Sequence, residues 1–229
     1  MKDIVKEAAN IIKNSSHCVA FTGAGISVES GIPPFRGEEG LWSKYDPEVL
    51  DINFFHSNPT ASWNVINKLF YDFFGKAKPN KAHFALAELE KAGIIKCVIT
   101  QNIDNLHQEA GSAVVWEFHG NSKKLVCLKC DHHHMVTSEG LGKIPPLCPN
   151  DQSILKPDFV FFGESIPERA NNKAFEAASI TDVLIIVGST GEIMPANMIP
   201  GLAKQNSAKV IEINTEPSNY TQEITDIFL

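Results

Sequence analysis

Cys127 and Cys130 have two residues between them, and Cys148 follows in the same stretch. Thiolates at that spacing hold zinc in tetrahedral sites, and the odd total of five cysteines suits a metal better than a disulfide framework. Cys18 and Cys97 lie inside apolar runs and read as core residues. A second group is Gly23-Ala-Gly25, where two glycines let the backbone turn sharply and bring main-chain N–H groups against a diphosphate. Alone, such a turn does not specify a nucleotide. A third is His119-Gly120, which sets an imidazole at the end of an apolar run. Its ordinary pKa near neutrality fits a general base, and a plain turn residue fits the position as well.

The elements that must position these groups follow from periodicity. Residues 2–14 carry Ile4, Ala8, Ile11 and Ile12 on one helical face, and 17–22 is an apolar strand stopping at the glycine turn. Residues 32–59, with Pro33, Pro34, Pro47 and Pro59, predict an irregular or short-helix excursion. Helical patterns follow over 61–74, broken by Gly75 and Pro79, and over 83–91, ended by Gly93. Apolar strands are expected at 94–100, 114–118, 159–162, 183–187 and 209–213, with helices between the later ones. Residues 123–156 differ in character, being basic, rich in Cys and His, and interrupted by Pro145-Pro146.

Apolar strands alternating with helices predict an α/β fold, a parallel sheet with helices on both faces. Ligands bind such sheets beyond the carboxyl ends of the strands. Gly23-Ala-Gly25, Gln101-Asn-Ile-Asp104, His119-Gly120, Gly188-Ser-Thr190 and Asn214 each follow an apolar strand directly. The repeated placement of polar clusters at strand ends marks that rim as the functional one.

A hydrophobic fraction of 43% over 229 residues is enough for a core. No apolar run approaches the roughly 18 to 20 residues that span a bilayer. The start MKDIVKEAANIIK alternates charge with apolar residues, unlike a secretory signal, so a soluble cytoplasmic protein with no membrane partner is expected. The net charge of −7 argues against direct binding of nucleic acid and tolerates a Lys-rich peptide.

In order along the chain come Gly23-Ala-Gly-Ile-Ser27, Ser30-Gly-Ile-Pro33, Phe35-Arg-Gly37, Gln101-Asn-Ile-Asp104 with Leu106-His107, His119-Gly120 and Phe162-Gly-Glu164. Over roughly residues 5–217 this resembles the sirtuin (Sir2) family of NAD-dependent protein deacylases, of prokaryotic type. The resemblance implies a Rossmann-like NAD-binding domain over 1–37, 80–122 and 156–229. It also implies a small domain made of a helical module, 38–79, and a zinc-binding module, 123–155.

By the same resemblance Gly23, Ala24, Gly25 and Ser27 would line the diphosphate and Arg36 would contact phosphate or order the loop. Phe35 would shield the reacting ribose. Gln101 and Asn102 would hold the nicotinamide ribose, and Ile103 and Asp104 the carboxamide; Asp104 could also cap the following helix. Gly188, Ser189, Thr190 and Asn214 would serve the cofactor further along. Val160, Phe162, Gly163 and Glu164 match the strand that pairs with the substrate peptide by edge addition. The acyl-lysine oxygen would attack the ribose carbon after nicotinamide leaves, with His119 then acting as general base on a ribose hydroxyl. The products would be deacylated lysine, nicotinamide and O-acyl-ADP-ribose. His107 reads as structural, and His132, His133 and His134 as an exposed loop of the metal module.

Three places depart from the family pattern. Pro34 stands where an acidic residue is usual, which stiffens the loop and predicts slower turnover or a different resting pose. Asp151 stands where a fourth Cys is usual; its oxygen, a nearby His or water could complete the zinc set of Cys127, Cys130 and Cys148, Asp151 being favoured. The sequence stops at Leu229, where the family continues through a glycine loop to a last helix; a trimmed chain or a weaker adenine contact would account for it. After Trp63, Ile66 and Leu69 occupy the positions where members that remove succinyl or malonyl groups carry Tyr and Arg, so an uncharged acyl group is expected. The competing readings are an NAD glycohydrolase or ADP-ribosyltransferase, and an NAD- or ADP-ribose-binding module weakened in catalysis.

Overall fold

The computed structural model describes residues 2–35, 40–73, 76–137 and 139–229. Six parallel strands form the main sheet: β1 (Cys18–Thr22), β2 (Ile95–Thr100), β3 (Val115–Glu117), and, further along the chain, Val183–Val187, Lys209–Ile213 and Ile227–Phe228. A second sheet is antiparallel and comes between these two groups in sequence. It is made of β4 (Gly120–Cys127), β5 (His133–Met135) and β6 (Leu155–Phe159), in the order β5-β4-β6. The last three parallel strands are therefore β7, β8 and β9, and the main sheet runs β3-β2-β1-β7-β8-β9.

The chain thus leaves β1 toward one edge and returns at β7 to build toward the other, so the order reverses between β1 and β7. Open parallel sheets bind ligands in the crevice that this reversal creates. Side chains alternate across the sheet. Val19, Phe21, Leu184 and Ile186 face α6 (Glu168–Ile180) and α7 (Met198–Gln205), where Ala174, Ala178, Ile199 and Ala203 are fully buried. Cys18, Ala20, Val183 and Ile185 face α1 (Lys2–Lys13) and α4 (Lys81–Lys91), against Ala8 and Leu86. Burial on both faces explains why these strands read as unbroken apolar runs.

The excursion after β1 contains 3-10 turns at Leu41–Ser43 and Pro47–Leu50, then α2 (Ile52–Ser57) and α3 (Pro59–Ile66), and ends in a π-helical stretch over Asn67–Phe73. Its apolar residues share one core with the antiparallel sheet. Leu50, Trp63, Ile66 and Phe70 pack with Leu125, Cys127, Cys148, Leu155 and Phe159. The buried Trp63 indole donates to the Leu155 carbonyl at 2.8 Å. Among the described residues no helix is long and apolar enough to cross a membrane.

Three elements differ from the sequence expectation. The strand expected at 159–162 lies at Leu155–Phe159. Beyond it the Val160 amide bonds the His119 carbonyl, the Phe161 amide turns to the Glu164 carboxylate, and only Phe162 forms a further bridge, to Asp51. The histidine run expected as a loop includes a short strand, because His133 and His134 pair with Val126 and Leu125 of β4. The helix expected from 83 begins at Lys81, where Asn80 caps the Ala82 amide and His83 reaches back to the Asn80 amide.

Candidate functional site

The glycine turn after β1 and the end of β7 are packed backbone to backbone. Gly23 donates to the Val187 carbonyl at 3.0 Å and Gly25 to the Gly188 carbonyl at 2.9 Å. A Cβ on Gly25 would lie 2.5 Å from Gly188 Cα, and one on Gly188 (φ +64) would lie 2.3 Å from the Ile26 nitrogen. Side chains cannot enter there, so the two turns meet at contact distance and leave amides facing the crevice. Among the described residues nothing accepts the amides of Ala24, Ser189 or Thr190, all on the crevice wall. Convergent free N–H groups of this kind suit an anion such as a diphosphate.

Below the turn lies a buried polar network. Ser27 donates to Asp104 Oδ2 at 2.7 Å, and the Asn102 amide donates to the Gly23 carbonyl at 3.0 Å and to Ser27 Oγ at 3.1 Å. Asp104 Oδ1 also accepts the Leu106 amide at 2.9 Å, so cap and network roles coexist. Deeper still, His83 and His107 face each other edge-on at 4.9 Å. Burial lowers the pKa of His83, against the pull of Asp104, and pushes that of His107 down to about 3, with His83 adding to the effect.

His119 stands at the end of β3, on the cavity wall. Its Nδ1 lies 3.0 Å from the Gln101 carbonyl, an acceptor, so the proton sits on Nδ1 and Nε2 keeps its lone pair. Burial lowers the His119 pKa and the Gln101 carbonyl opposes that shift, the net effect favouring the neutral ring. Gln101 Nε2 donates to Ser189 Oγ at 3.0 Å and Asn214 Nδ2 to the Ser189 carbonyl at 3.0 Å, which links three strand ends. Phe35 packs at 5.5 Å from Trp42 and 6.5 Å from Phe70, and Trp42 reaches Phe162 at 6.3 Å, forming an aromatic wall opposite the glycine turn.

These surfaces enclose a cavity of about 480 Å³. Of the residues singled out in the sequence, Gly23, Ala24, Gly25, Phe35, Gln101, Asn102, Ile103, His119, Val160, Phe162, Gly163, Glu164, Gly188, Ser189, Thr190 and Asn214 line it. Ser27 and Asp104 sit one layer beneath, and Arg36 lies outside the described residues. The wall also holds Trp42, Phe70, Met194 and the 215–218 segment, which sequence reasoning missed. Trp42, Met194 and 215–218 come from stretches without strand or helix periodicity, and Phe70 from the helical pattern over 61–74, where nothing local marks it as a wall residue. The network residue Asn80 was missed too, although Asn three residues before His83 is a capping signal legible in sequence.

The metal candidates also converge. Cys127 Sγ lies 3.6 Å from both Asp151 oxygens and Cys130 Sγ lies 3.8 Å from Cys148 Sγ, all four ligand groups falling within 4.8 Å of one another. These spacings are the edges expected of a tetrahedron with zinc–sulfur bonds of about 2.3 Å. Three thiolates and a carboxylate therefore fit a closed, structural zinc. His134 Nε2 approaches Cys148 Sγ at 3.6 Å from outside that set, where it can support a thiolate.

A two-way parallel sheet with a glycine-rich crevice at its switch point defines a Rossmann-type nucleotide-binding protein, here with a second sheet carrying a metal knuckle. The Sir2 family model matches residues 23–195, and the chain belongs to the Sir2 family. It is 48% identical to NAD-dependent protein deacylase 2 of Archaeoglobus fulgidus, over 95% of this chain and 87% of that protein. It is 45% identical to the NAD-dependent protein deacetylase of Caldivirga maquilingensis, over 98% and 87%. Among solved structures, a Sir2 enzyme with a deacetylated p53 peptide and 3'-O-acetyl ADP ribose superposes with a TM-score of 0.91 at 36% identity, covering 98% of this chain and 92% of that one. Another, from work on the mechanism and regulation of Sir2 enzymes, gives 0.90 at 46%, covering 100% and 92%.

Proposed function

We propose that this chain is an NAD-dependent protein-lysine deacylase that acts on uncharged acyl groups, acetyl foremost. The observation that carries this reading is His119, neutral and oriented by the Gln101 carbonyl, on the wall of a cavity that also holds Asn102, Phe35 and the free amides of the glycine turn. Bound NAD would supply an electrophilic ribose carbon for the acyl oxygen, with nicotinamide as its leaving group, and a ribose hydroxyl as acyl acceptor. The chain's own residues would do the rest.

Gly23, Ala24 and Gly25 would bind the diphosphate through main-chain amides, with Arg36 beside them, and Ser27 would brace the turn from below. Gln101 and Asn102 would hold the nicotinamide ribose, and Ile103 and Asp104 the carboxamide. Gly188, Ser189, Thr190 and Asn214 would bind toward the adenosine end. Phe35 would close over the ribose and exclude water. His119 Nε2 would take a proton from a ribose hydroxyl as that oxygen attacks the acyl carbon. Val160, Phe162, Gly163 and Glu164 would present an edge to the peptide backbone. Cys127, Cys130, Cys148 and Asp151 would hold zinc in a structural role.

The division into a nucleotide-binding part (1–37, 80–122, 156–229), a helical module (38–79) and a zinc module (123–155) is part of the same reading. So is an acyl-lysine protein as substrate, with a cytoplasmic location and no direct nucleic-acid contact. Ile66 and Leu69 are apolar and offer no cation to pair with a charged acyl group, which supports an acyl group without charge.

Incubation with NAD and an acetyl-lysine peptide, with products identified by mass, tests the reading. O-acetyl-ADP-ribose and free nicotinamide are expected. Free or protein-linked ADP-ribose would overturn it in favour of a glycohydrolase or ADP-ribosyltransferase. Binding of NAD without turnover would make the chain a binding module.

A further inference from the structure

Lys156 is the feature the deacylation chemistry leaves unexplained. It sits on β6 with 4% of its side chain exposed, which a lysine does only when its charge is matched. The ammonium donates to the Pro157 carbonyl at 2.9 Å and to the Phe159 carbonyl at 2.8 Å, and lies 2.9 Å from Glu164 Oε2. Those acceptors use all its protons. The Phe161 ring lies 4.1 Å away.

The position of this cluster explains what it does. The β4–β6 ladder shifts register between Leu125↔Pro157 and Gly120↔Phe159. Carbonyls at such a break need another donor, and Lys156 supplies it. The same Glu164 oxygen accepts the Phe161 amide at 2.7 Å, and the Glu164 amide returns to the Phe161 carbonyl at 3.0 Å, closing the loop. Outside this knot, the Val160 amide bonds the His119 carbonyl at 2.9 Å, and Phe162 exchanges hydrogen bonds with Leu50 and Ile52 at 2.8 and 3.0 Å. Among the described residues, the Val160 carbonyl and the Gly163 amide have no partner, and both residues line the cavity.

We propose that Lys156 is a positioning residue for peptide recognition: with Glu164 it forms an internal clasp that holds the 157–163 backbone so that the Val160 carbonyl and Gly163 amide meet the substrate strand. This rests on reading 160–163 as the peptide edge. Lys156 touches no substrate and acts through the backbone it binds. Burial lowers its pKa and the Glu164 carboxylate beside it opposes that shift. Every partner of the clasp lies within 157–164 and none belongs to the glycine turn or to the Asn214 end, so it bears on the peptide edge and not on the nucleotide.

The test uses the full chain with NAD and an acetyl-lysine peptide. Lys156→Met should raise the peptide KM about tenfold or more, with kcat changed less than about threefold and ADP-ribose affinity by calorimetry unchanged. Lys156→Arg should restore most of the peptide affinity. If Lys156→Met folds poorly, Lys156→Gln with calorimetry of peptide binding serves the same purpose. A lower melting temperature with unaltered peptide KM would reduce Lys156 to a structural role and overturn the proposal. A peptide with esters in place of the amides flanking acetyl-lysine separates the two levels. If it binds wild type as well as the parent does, the edge reading fails. If it binds weakly while Lys156→Met matches wild type, only the clasp fails.

Discussion

His119 Nδ1 lies 3.0 Å from the carbonyl oxygen of Gln101, and that one contact decides which ring nitrogen can accept a proton. Because burial lowers the ring's pKa, the neutral form persists to more acidic pH than in an exposed histidine. A base works only when unprotonated. The acid limb of kcat/KM should therefore fall below pH 6.5 and the profile should be flat from pH 7 to 8. His119→Ala should cut turnover by about 10²–10⁴-fold while NAD binding survives. An acid limb above pH 7 would contradict the assignment.

His107 should make the fold acid-sensitive. Its Nε2 meets Thr22 Oγ1 at 2.9 Å, and among the described residues its buried Nδ1 has no partner, so a proton there would be an unpaired donor. With the folded pKa pushed down to about 3 from 6.5, the unfolded chain takes up the proton first. Stability is thus full above pH 6.5 and falls as pH drops, by roughly 2 kcal/mol at pH 5. Thermal melts from pH 8 to pH 4.5 would measure it. His107→Gln keeps a donor near Thr22 and should flatten the slope.

Gly188→Ala should abolish nucleotide binding. The added methyl would press on the backbones of Gly25 and Ile26, neither of which can yield as a side chain would. A stability loss on the order of 2–4 kcal/mol and no detectable ADP-ribose binding by calorimetry are expected. Retained binding would show that the two turns can separate without harm.

Zinc should be found at one equivalent in protein purified without added metal. Asp151→Ala should lose it to a mild chelator sooner than wild type, and Asp151→Cys should hold it more tightly. Elemental analysis reads both. Equal retention in all three would mean that Asp151 is not a ligand.

Pro34→Asp should raise turnover. Pro34 lines the cavity and its carbonyl accepts the Leu41 amide at 2.9 Å, so it helps set the pose of the loop that carries Phe35. Steady-state deacetylation of the two proteins is the measurement, and an unchanged rate would sink the idea.

The legible parts of this molecule are those where one local rule decides. β1 and β7 are buried along their whole length and read as continuous apolar runs, β2 and β8 are mostly apolar runs broken by Lys96 and Glu212, and the polar clusters follow each of them at once. The antiparallel sheet was hidden for the opposite reason. β5 is three residues long and mostly exposed, and β4 carries Lys123 and Lys124 in its middle. In β6, Lys156, Pro157 and Asp158 look like a loop, while the apolar residues just after them look like the strand. Lys156 is buried only because Glu164 and two carbonyls, brought round by the chain, receive its charge. No window around position 156 contains that information. Trp42 and Met194 reach the cavity from irregular segments, where tertiary packing alone assigns them.

The hydrogen bond from Trp63 to Leu155 spans 92 positions and lies in a core that residues 41–70 share with the metal-bearing sheet. On a ribosome the first half of that core emerges long before the second. At synthesis rates of roughly 5–20 residues per second the indole must wait about 5–20 s for its acceptor. The early insertion therefore spends that interval with Trp63, Ile66 and Phe70 uncovered, and the arrival of the thiolate knuckle both closes the small core and ends the period in which the nascent chain is most open to misassociation.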